Sequence, residues 1–437
     1  MNEINFNIEE VEKIDLSLDF AVKEIYPELE DLEVTPGPEE QVFTHEGSYG
    51  YDVITVRKTE GDYKEYIKNT ISGTTSSYNA GYIDSIIKLP TFKNTGDSCE
   101  YMFGRYSGET IDLLNFNTAD VKKYDRMFYY CTFLKEIIHS ENINITSNAV
   151  TLTNMFYNCE NLESVDTSNW VLSNATSISA MFYNCKKLKN IDTSKWNTGN
   201  ISVMCSSTAG LFSGCESLEE IDVSNWDVSK VNYFGDIFKN CKLVKKLDIS
   251  KWTNEVATGG GSMFNGCAEV EEIDARGLNM NKWSSGNSLF SGCRKLKSVK
   301  APSYTSTTSG PTSAHSMFYN CKELKSVDLS GWITNRFTTL TWMFYNCTSL
   351  ESVDLSNLDT SKMTSLDRMF AECVNLKYID IRNFTFDKVT SVSGYQLMLS
   401  NVPTDCKIIV KDDTARNWIH QKQGTKWTNI VTVAELG

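Results

Sequence analysis

Two kinds of side chain with reactive potential recur along the chain, cysteine thiols and aspartate carboxylates. Ten of the 13 cysteines follow one another at spacings of 26 to 30 residues. They are Cys131, Cys159, Cys185, Cys215, Cys241, Cys267, Cys293, Cys321, Cys347 and Cys373. Thiols can form disulfides, bind metal ions or act as nucleophiles. However, no two cysteines have the two-to-four-residue spacing of a zinc site, and cysteine is among the most buried residue types. The column is predicted to pack as free thiols, with a disulfide ladder between stacked repeats as the alternative.

An aspartate recurs in the same register, directly after the first apolar residue of a short aliphatic run. The candidate binding residues are Asp166, Asp192, Asp222, Asp248, Asp328, Asp354 and Asp380, and Asp274 occupies the same position. Because this column alternates with apolar residues, a strand would place it on the outward face. Two interpretations stay open. The carboxylates form a solvated face and accept hydrogen bonds from turn amides, or they form an anionic stripe that binds cations or a basic partner.

A third column carries tryptophan in most repeats, at Trp170, Trp196, Trp226, Trp252 and Trp332. Packing in the core is the favoured interpretation, and an exposed aromatic ladder for sugars is the alternative.

Motifs for catalysis are missing from the sequence. The chain contains no phosphate-binding loop, nucleophile elbow or zinc-protease motif, and its four histidines are far apart. A glycan hydrolase would need a pair of carboxylates in a cleft, and a repeated aspartate on a flat face is a poor candidate. Loss of sugar release on substituting Asp328 or Asp354 would nevertheless support that reading. The sequence predicts a non-enzyme with no catalytic residue, cofactor or metal.

The elements that position these columns are predicted from one repeat. A fixed period of this length is typical of a solenoid, in which each repeat contacts mainly its neighbours. Met343, Phe344, Cys347 and Leu350 are spaced i, i+1, i+4, i+7, which predicts a helical or 3₁₀ turn. Apolar residues on either side of Asp354 predict a short strand. The fold class is therefore predicted to be an α/β repeat solenoid of leucine-rich-repeat type, with short parallel strands and helical turns.

Four segments are predicted. Residues 1–60 form an acidic docking segment with a small β-hairpin module, whose strands cover residues 41–43 and 52–57. Residues 61–98 form a linker or N-terminal cap, and residues 99–402 form the solenoid of about ten to twelve rungs. Residues 403–437 are predicted to be a C-terminal α/β cap, with strands at residues 406–410 and 428–433 and a helix at residues 414–421.

Charge is concentrated at the N-terminus. The formal net charge is −14, and residues 1–60 hold 16 acidic against 4 basic residues. This balance argues against nucleic-acid binding, which needs clustered Lys and Arg. No apolar run is long enough to span a membrane, and the acidic start is unlike a secretory signal. We therefore expect a soluble chain with no membrane insertion and no export signal of its own.

The repeat pattern Met-Phe-x-x-Cys-x-x-Leu-x-x-Val-Asp-x-Ser-x-Trp resembles the BspA-type leucine-rich-repeat family of bacterial surface proteins, over residues 99–402. The resemblance implies a leucine-rich-repeat solenoid used for adhesion or recognition and carries over no catalytic residue. The sequences of residues 32–36, 39–43 and 50–56 are similar instead to short β modules in structural and tail proteins of tailed bacteriophages.

Together the two resemblances imply a non-enzymatic structural protein of a bacteriophage virion, in a tail, a fibre or another surface-exposed component. Its expected partners are other virion proteins, through the N-terminal segment, and a host surface protein or glycan, through the solenoid. A symmetric multimer in the particle is also expected. The alternative is a bacterial cell-surface leucine-rich-repeat adhesin, without a particle.

Overall fold

The computed structural model describes the backbone of residues 40–47, 50–59 and 62–70. It also describes residues 99–437, apart from 102, 107, 114–117, 119–120, 147 and 207. The chain forms two compact units, Met1–Asn197 and Thr198–Gly437. In each unit the repeats are turns of a parallel β-solenoid, which confirms the predicted repeat solenoid.

The first unit begins with an antiparallel sheet of strands β1 (Glu40–Gly47), β2 (Gly50–Thr59) and β3 (Asp62–Thr70), in that order. Gly47 pairs with Gly50, so β1 and β2 are neighbouring antiparallel strands in the segment for which the sequence predicts a β-hairpin module. Strand β3 lies inside the segment that the sequence assigned to a linker. Its tyrosines and isoleucine favour a strand, a local preference that the composition of residues 61–98 as a whole obscured.

The solenoid part of the first unit pairs residues that lie one repeat apart. Strands β4 (Thr110–Asp112) and β5 (Glu136–Ile138) are parallel, and Ile111 is opposite Ile137. A second line of parallel bridges joins residues 123, 151 and 177. A 3₁₀ helix covers Ser140–Asn142. Each repeat therefore meets its neighbour along two lines of backbone pairing.

The second unit contains two parallel sheets. Strand β6 (Glu272–Asp274) pairs with β7 (Ser298–Lys300), and a larger sheet has the order β8, β9, β10, β11. These four strands are β8 (Ser352–Asp354), β9 (Tyr378–Asp380), β10 (Lys407–Val410) and β11 (Ile430–Thr432). Parallel bridges also join residues 313, 339 and 365. Stacking of successive repeats accounts for the parallel order of all these pairs.

In strands β5 to β8, which are three residues long, only the central residue faces the core. In β8, Val353 is 1% exposed, whereas Ser352 and Asp354 on either side of it are exposed. This alternation is the one that the sequence predicted. Val353 pairs with Ile379 of β9, so the buried positions form a continuous column along the sheet.

The predicted helical turns are wrong. In the repeat around Cys347, Trp342 and Asn346 have φ of 59° and 58°, in the left-handed region. Two left-handed residues four positions apart interrupt any α-helix. The amide of Phe344 also donates to the carbonyl of Met369 in the next repeat, 2.9 Å away, instead of to a carbonyl in its own turn. The spacing of the apolar residues thus belongs to a tight turn, and the α/β description of the repeat is not supported.

Helix is scarce in the part of the chain that the structure describes. Helix α1 covers Val392–Tyr395, α2 covers Asp413–Gln423, and further 3₁₀ helices cover Met280–Lys282 and Val433–Leu436. Asp412 caps the N-terminus of helix α2, and its side chain accepts a hydrogen bond from the amide of Ala415.

The C-terminal strand, helix and strand lie where the sequence predicted them, as β10, α2 and β11. However, β10 pairs with β9 in parallel, and Ile408 is opposite Ile379. Because its register continues that of the repeats, the segment extends the strand ladder. A separate α/β cap over residues 403–437 is therefore not supported.

Aromatic ladders run through the core of each unit. In the first unit the rings of Phe128, Phe156 and Phe182 stack with centroids 5.0 and 5.2 Å apart. The predicted tryptophan column is also in the core. Its five members are at most 5% exposed, which rules out an exposed tryptophan ladder for sugars at these positions.

Candidate functional site

The predicted aspartate column lies on the strand edge of the repeats, and its members are not equivalent. Five of the seven candidates are exposed, namely Asp166, Asp192, Asp222, Asp328 and Asp354. Asp248 is half-exposed, and Asp380 is 1% exposed. The outward orientation predicted from the alternation therefore holds for six of the seven.

The carboxylates of this column hold the turn that follows each strand. In Asp354, Oδ1 accepts a hydrogen bond of 2.9 Å from the amide of Ser356. The same contact, at 2.9 to 3.1 Å, occurs in Asp166, Asp192, Asp222, Asp248 and Asp328. An aspartate that accepts from the residue two positions later is a standard turn device. The spacing Asp-x-Ser is therefore explained by local structure.

These hydrogen bonds favour the ionised carboxylate. Contacts from the side chain and the backbone of Ser194 lower the pKa of Asp192 below its usual value. The backbone and side chain of Ser330 do the same for Asp328. Direct hydrogen bonding to a carboxylate stabilises its charged form. A catalytic acid would instead need a raised pKa, which neither residue shows.

Asp380 and Asp274 carry arginine where the other repeats carry serine. Burial opposes ionisation of Asp380, but hydrogen bonds from Arg382 and Tyr378 outweigh it and lower the pKa of Asp380. Asp274 pairs with Arg276 at 2.8 Å and with Lys300 at 3.1 Å. The two carboxylates are therefore neutralised within the protein, and Asp380 is not part of an accessible stripe.

Cation binding by the column is not supported by its geometry. Over the described part of residues 99–437, no three His, Cys, Asp or Glu side chains come together in a group that could hold a metal ion. Beside the column, lysines pair with glutamates one repeat earlier, as in Lys189 with Glu163 at 2.7 Å and Lys377 with Glu351 at 2.8 Å. Such exposed pairs contribute little stability, but they offset much of the local charge.

The cysteine column is hydrogen-bonded, free and buried. In nine of the ten column residues Sγ lies 2.9 to 3.2 Å from the carbonyl oxygen of the phenylalanine one repeat earlier. All 13 cysteines are free thiols. Burial raises the pKa of Cys293 and Cys373 to about 12, which keeps both thiols protonated and able to donate. The prediction of buried free thiols is confirmed, and the column offers no nucleophile.

The two irregular loops of the second unit, at residues 257–262 and 303–313, are held by asparagines. Asn254 Oδ1 accepts from the amides of Val256 and Ala257. Asn281 Oδ1 accepts from the amides of Thr305 and Ser306. Both loops are thus locally braced.

The turns also carry an aromatic column that was not predicted from the sequence. The residue after the core phenylalanine is tyrosine in Tyr129, Tyr157, Tyr183, Tyr319 and Tyr345, and all five are half-buried. In the remaining repeats it is Ser213, Lys239, Asn265, Ser291 or Ala371. The grouping of tyrosine in consecutive repeats was the signal that could have revealed this column.

Each unit carries one aromatic cluster built on this column. The first aromatic cluster comprises Tyr101, Tyr129, Tyr130, Tyr157 and Tyr183, and Tyr157 lies 4.6 Å from Tyr183 between ring centroids. The second aromatic cluster comprises His315, Tyr319, Trp342, Tyr345 and Arg368, with Tyr319 5.0 Å from Tyr345.

Burial, followed by the neighbouring phenols Tyr183, Tyr130 and Tyr129, raises the pKa of Tyr157 to about 12. The phenol of Tyr157 is therefore uncharged at neutral pH.

No helix of the described residues has the length and apolar character needed to cross a membrane.

Comparison with known proteins gives one family. A model of the family described as "Mycoplasma protein of unknown function, DUF285" matches residues 97–209, 204–304 and 312–402, which together make up more than half of the chain. No curated protein and no solved structure matches the chain. The match supports the predicted BspA-like repeat. It does not reach the N-terminal segment, so the resemblance of that segment to bacteriophage modules stays a prediction.

Proposed function

We propose, given that the chain belongs to the DUF285 family, that it is a non-enzymatic recognition scaffold whose solenoid presents side chains to a binding partner. One observation carries the proposal. The recurrent groups that could do chemistry are engaged in holding the repeats, since the thiols donate to phenylalanine carbonyls and the aspartates accept from turn amides. What remains outward is a regular set of charged and aromatic columns.

A rigid parallel solenoid suits recognition for a physical reason. Each repeat fixes its outward residues through two lines of backbone pairing, so little conformational entropy is lost when a partner binds. Side chains at equal positions then form straight columns with the spacing of parallel strands, ~4.8 Å. Such a surface is preorganised over several repeats.

For the setting we propose a bacteriophage particle, in which the N-terminal segment docks on other virion proteins and the solenoid contacts a host surface protein or glycan. The resemblance of residues 32–56 to bacteriophage modules supports this setting. A symmetric multimer would multiply the binding surface. We also propose that β10, α2 and β11 shield the last repeat, because terminal repeats of solenoids need a polar outer face. The second candidate, favoured by the BspA-like repeat, is a bacterial cell-surface adhesin.

Location and binding test the proposal together. We expect mass spectrometry of purified particles to detect the chain, and we expect purified protein to bind host cells without releasing sugar from their polysaccharide. Absence from particles together with presence on host cells would select the adhesin instead. Release of sugar that is lost in Asp328→Asn or Asp354→Asn would show an enzyme and refute the scaffold. Failure to bind cells in either setting would refute recognition.

A further inference from the structure

The second aromatic cluster lies on the turns of successive repeats in the second unit. The rings of Tyr319 and Tyr345 stack with 8° between their planes, and the ring of Trp342 lies 5.8 Å from Tyr319 and 5.9 Å from Tyr345. All three are half-buried. We propose that this cluster binds a neutral polysaccharide. The proposal rests on the recognition function above and names the chemical class of its ligand.

Trp342 occupies a backbone position that disfavours a bulky residue. Its φ is 59°, and the same left-handed position carries small or polar residues such as Asn154 and Ser262 in some repeats and bulky ones such as Arg126 and Leu397 in others. Asparagine tolerates the left-handed region, whereas a large side chain there is an outlier. What distinguishes Trp342 is its contact with the stacked tyrosines of its own and the preceding repeat, which completes the cluster.

The cluster carries no net charge at neutral pH. The guanidinium of Arg368 pairs with Asp367 at 2.8 Å, and the same carboxylate accepts the indole N–H of Trp342 at 3.1 Å. Burial lowers the pKa of His315, so its imidazole is neutral. Anionic ligands would find no unpaired cation within the cluster. A neutral ligand matches this surface.

Hydroxyl groups are the polar groups that the tyrosines offer. Among the residues that the structure describes, the hydroxyls of Tyr319 and Tyr345 have no hydrogen-bond partner, and each can both donate and accept. The rings of Tyr319 and Tyr345 stack on each other, and both residues are half-buried, so part of each side chain is accessible to a ligand. A sugar presents the matching combination of C–H groups and hydroxyls. This combination favours a polyhydroxylated ligand over an apolar peptide.

The ligand is inferred to be a chain because the turn tyrosines of the cluster stack from one repeat to the next. Within the first unit, Tyr129, Tyr157 and Tyr183 stack in the same way, at 5.2 and 4.6 Å. Tyr130 of that cluster is 40% exposed and lies at a different left-handed position, directly before the column cysteine. A polymer of identical units can meet such a ladder unit by unit, whereas a folded protein surface has no matching period.

The test is affinity electrophoresis of the full-length protein in gels that contain dextran, amylose, xylan or β-glucan, with alginate as an anionic comparison. Two variants take residue types from other repeats of the chain, Trp342→Asn and Tyr345→Ser. The matched control is Ser262→Asn, at the position of the repeat equivalent to Trp342 and outside the cluster. Urea unfolding of each variant checks that the solenoid is intact.

We expect at least one neutral polysaccharide to retard the wild-type protein. Each cluster variant should weaken this binding by about tenfold or more, the effect of removing a central aromatic contact. Ser262→Asn should bind like wild type.

Three results would overturn the inference. They are no retardation by any neutral polysaccharide of the panel, equal retardation of both cluster variants and wild type, and retardation by alginate alone. A self-association of wild type that Trp342→Asn abolishes, without any effect on retardation, would assign the cluster to contacts between copies. If the protein still binds host cells in any of these cases, recognition stands and only the ligand class fails.

Discussion

Replacing Cys347 in three ways separates the hydrogen bond of its thiol from the volume of its sulfur. Sγ lies 3.1 Å from the carbonyl oxygen of Phe318, and the residue is fully buried. Cys347→Ala removes both the donor and the volume. Cys347→Ser keeps a donor and loses volume, whereas Cys347→Val keeps volume and loses the donor.

The structure sets the expected sizes. The carbonyl of Phe318 also accepts the amide of Cys321 at 3.1 Å, so losing the thiol does not leave it unpaired. A thiol is a weak donor, so the lost bond is worth about 0.5 kcal/mol, at the low end for a hydrogen bond. The sulfur resembles one to two buried methylenes at ~0.8 kcal/mol each, with a further cost for the cavity. We expect Cys347→Ala to lower the free energy of unfolding by about 2 kcal/mol, and Cys347→Ser and Cys347→Val by about 1 kcal/mol each.

Urea unfolding followed by circular dichroism measures the global effect. Because repeat proteins need not unfold in one step, amide hydrogen exchange should accompany it. The amides of Phe344 and Asn346 donate to the next repeat and report on the turn that holds Cys347. Cys406→Ala is the control, since that thiol is buried but lies 3.9 Å from its nearest acceptor. Wild-type stability of Cys347→Val would show that the thiol acts only through its volume and would refute its role as a donor.

Four further predictions follow from the columns. Asp328→Asn keeps the acceptor for the amide of Ser330 and should change the free energy of unfolding by less than about 0.5 kcal/mol. Asp328→Ala removes that acceptor and should lower the free energy of unfolding by about 1 kcal/mol. Equal losses for the two variants in urea unfolding would refute the role of Asp328 in the turn. Burial raises the pKa of Cys293 to about 12, so native protein should not react with Ellman's reagent at about pH 8 within minutes, and all 13 thiols should react after denaturation. A reactive thiol in native protein would contradict this. The lowered pKa of Asp192 means that its stabilising contribution is present above the unfolded pKa of about 3.9 and is lost as pH falls through the lower folded value. The urea midpoint should therefore fall as the pH is lowered from about 4.5 to about 2.5, and a constant midpoint over that range would be inconsistent with the mechanism. Trp342→Asn should raise the urea midpoint or leave it unchanged, because removing a bulky side chain from a left-handed backbone position relieves about 1 kcal/mol of strain. A clear fall in the midpoint would show that the ring of Trp342 contributes to packing.

The stacking of the repeats was predictable because it depends on simple periodicities. The cysteine spacing gives the repeat, and the alternation around Asp354 gives a strand with one buried residue, as observed in β8. Both signals are local and regular, so tertiary context does not override them.

The turn was misassigned because one apolar spacing fits two backbones. Met343, Phe344 and Cys347 would share a face of a helix, but they also share the inner side of a turn with two left-handed residues. The discriminating signal was present, because Asn or Gly directly precedes the column cysteine in eight of ten repeats. These residue types favour left-handed φ, as Asn346 shows. The helical prediction rested on the apolar positions alone and did not use the Asn or Gly before the cysteine.

The candidate site was predicted in part. The outward direction of the aspartates followed from alternation, but their role could not be chosen, because a turn acceptor and a ligand-binding carboxylate use the same residue type. The serine two positions after Asp354 is the feature that favours the turn. The aromatic clusters could not be inferred from Tyr319 or Tyr345 alone, since tyrosine fits a core and a surface equally well.

Function in a solenoid is best sought where a repeat departs from what stacking requires. Phenylalanine, cysteine and the strand aliphatics hardly vary, because each is constrained by the repeats before and after it. The left-handed position two residues before the core phenylalanine carries residues as different as Ala180, Ser262 and Arg126, so stacking does not prescribe a tryptophan there. Trp342 sits at that position, among tyrosines that other repeats replace with serine, lysine or asparagine. Tyr130 in the first unit departs at a different left-handed position, directly before the column cysteine, where eight of the ten repeats carry Asn or Gly. Because the aspartates already hold the turns and these aromatic residues are not required for stacking, the turn edge is a better place than the aspartate column to test for ligand binding.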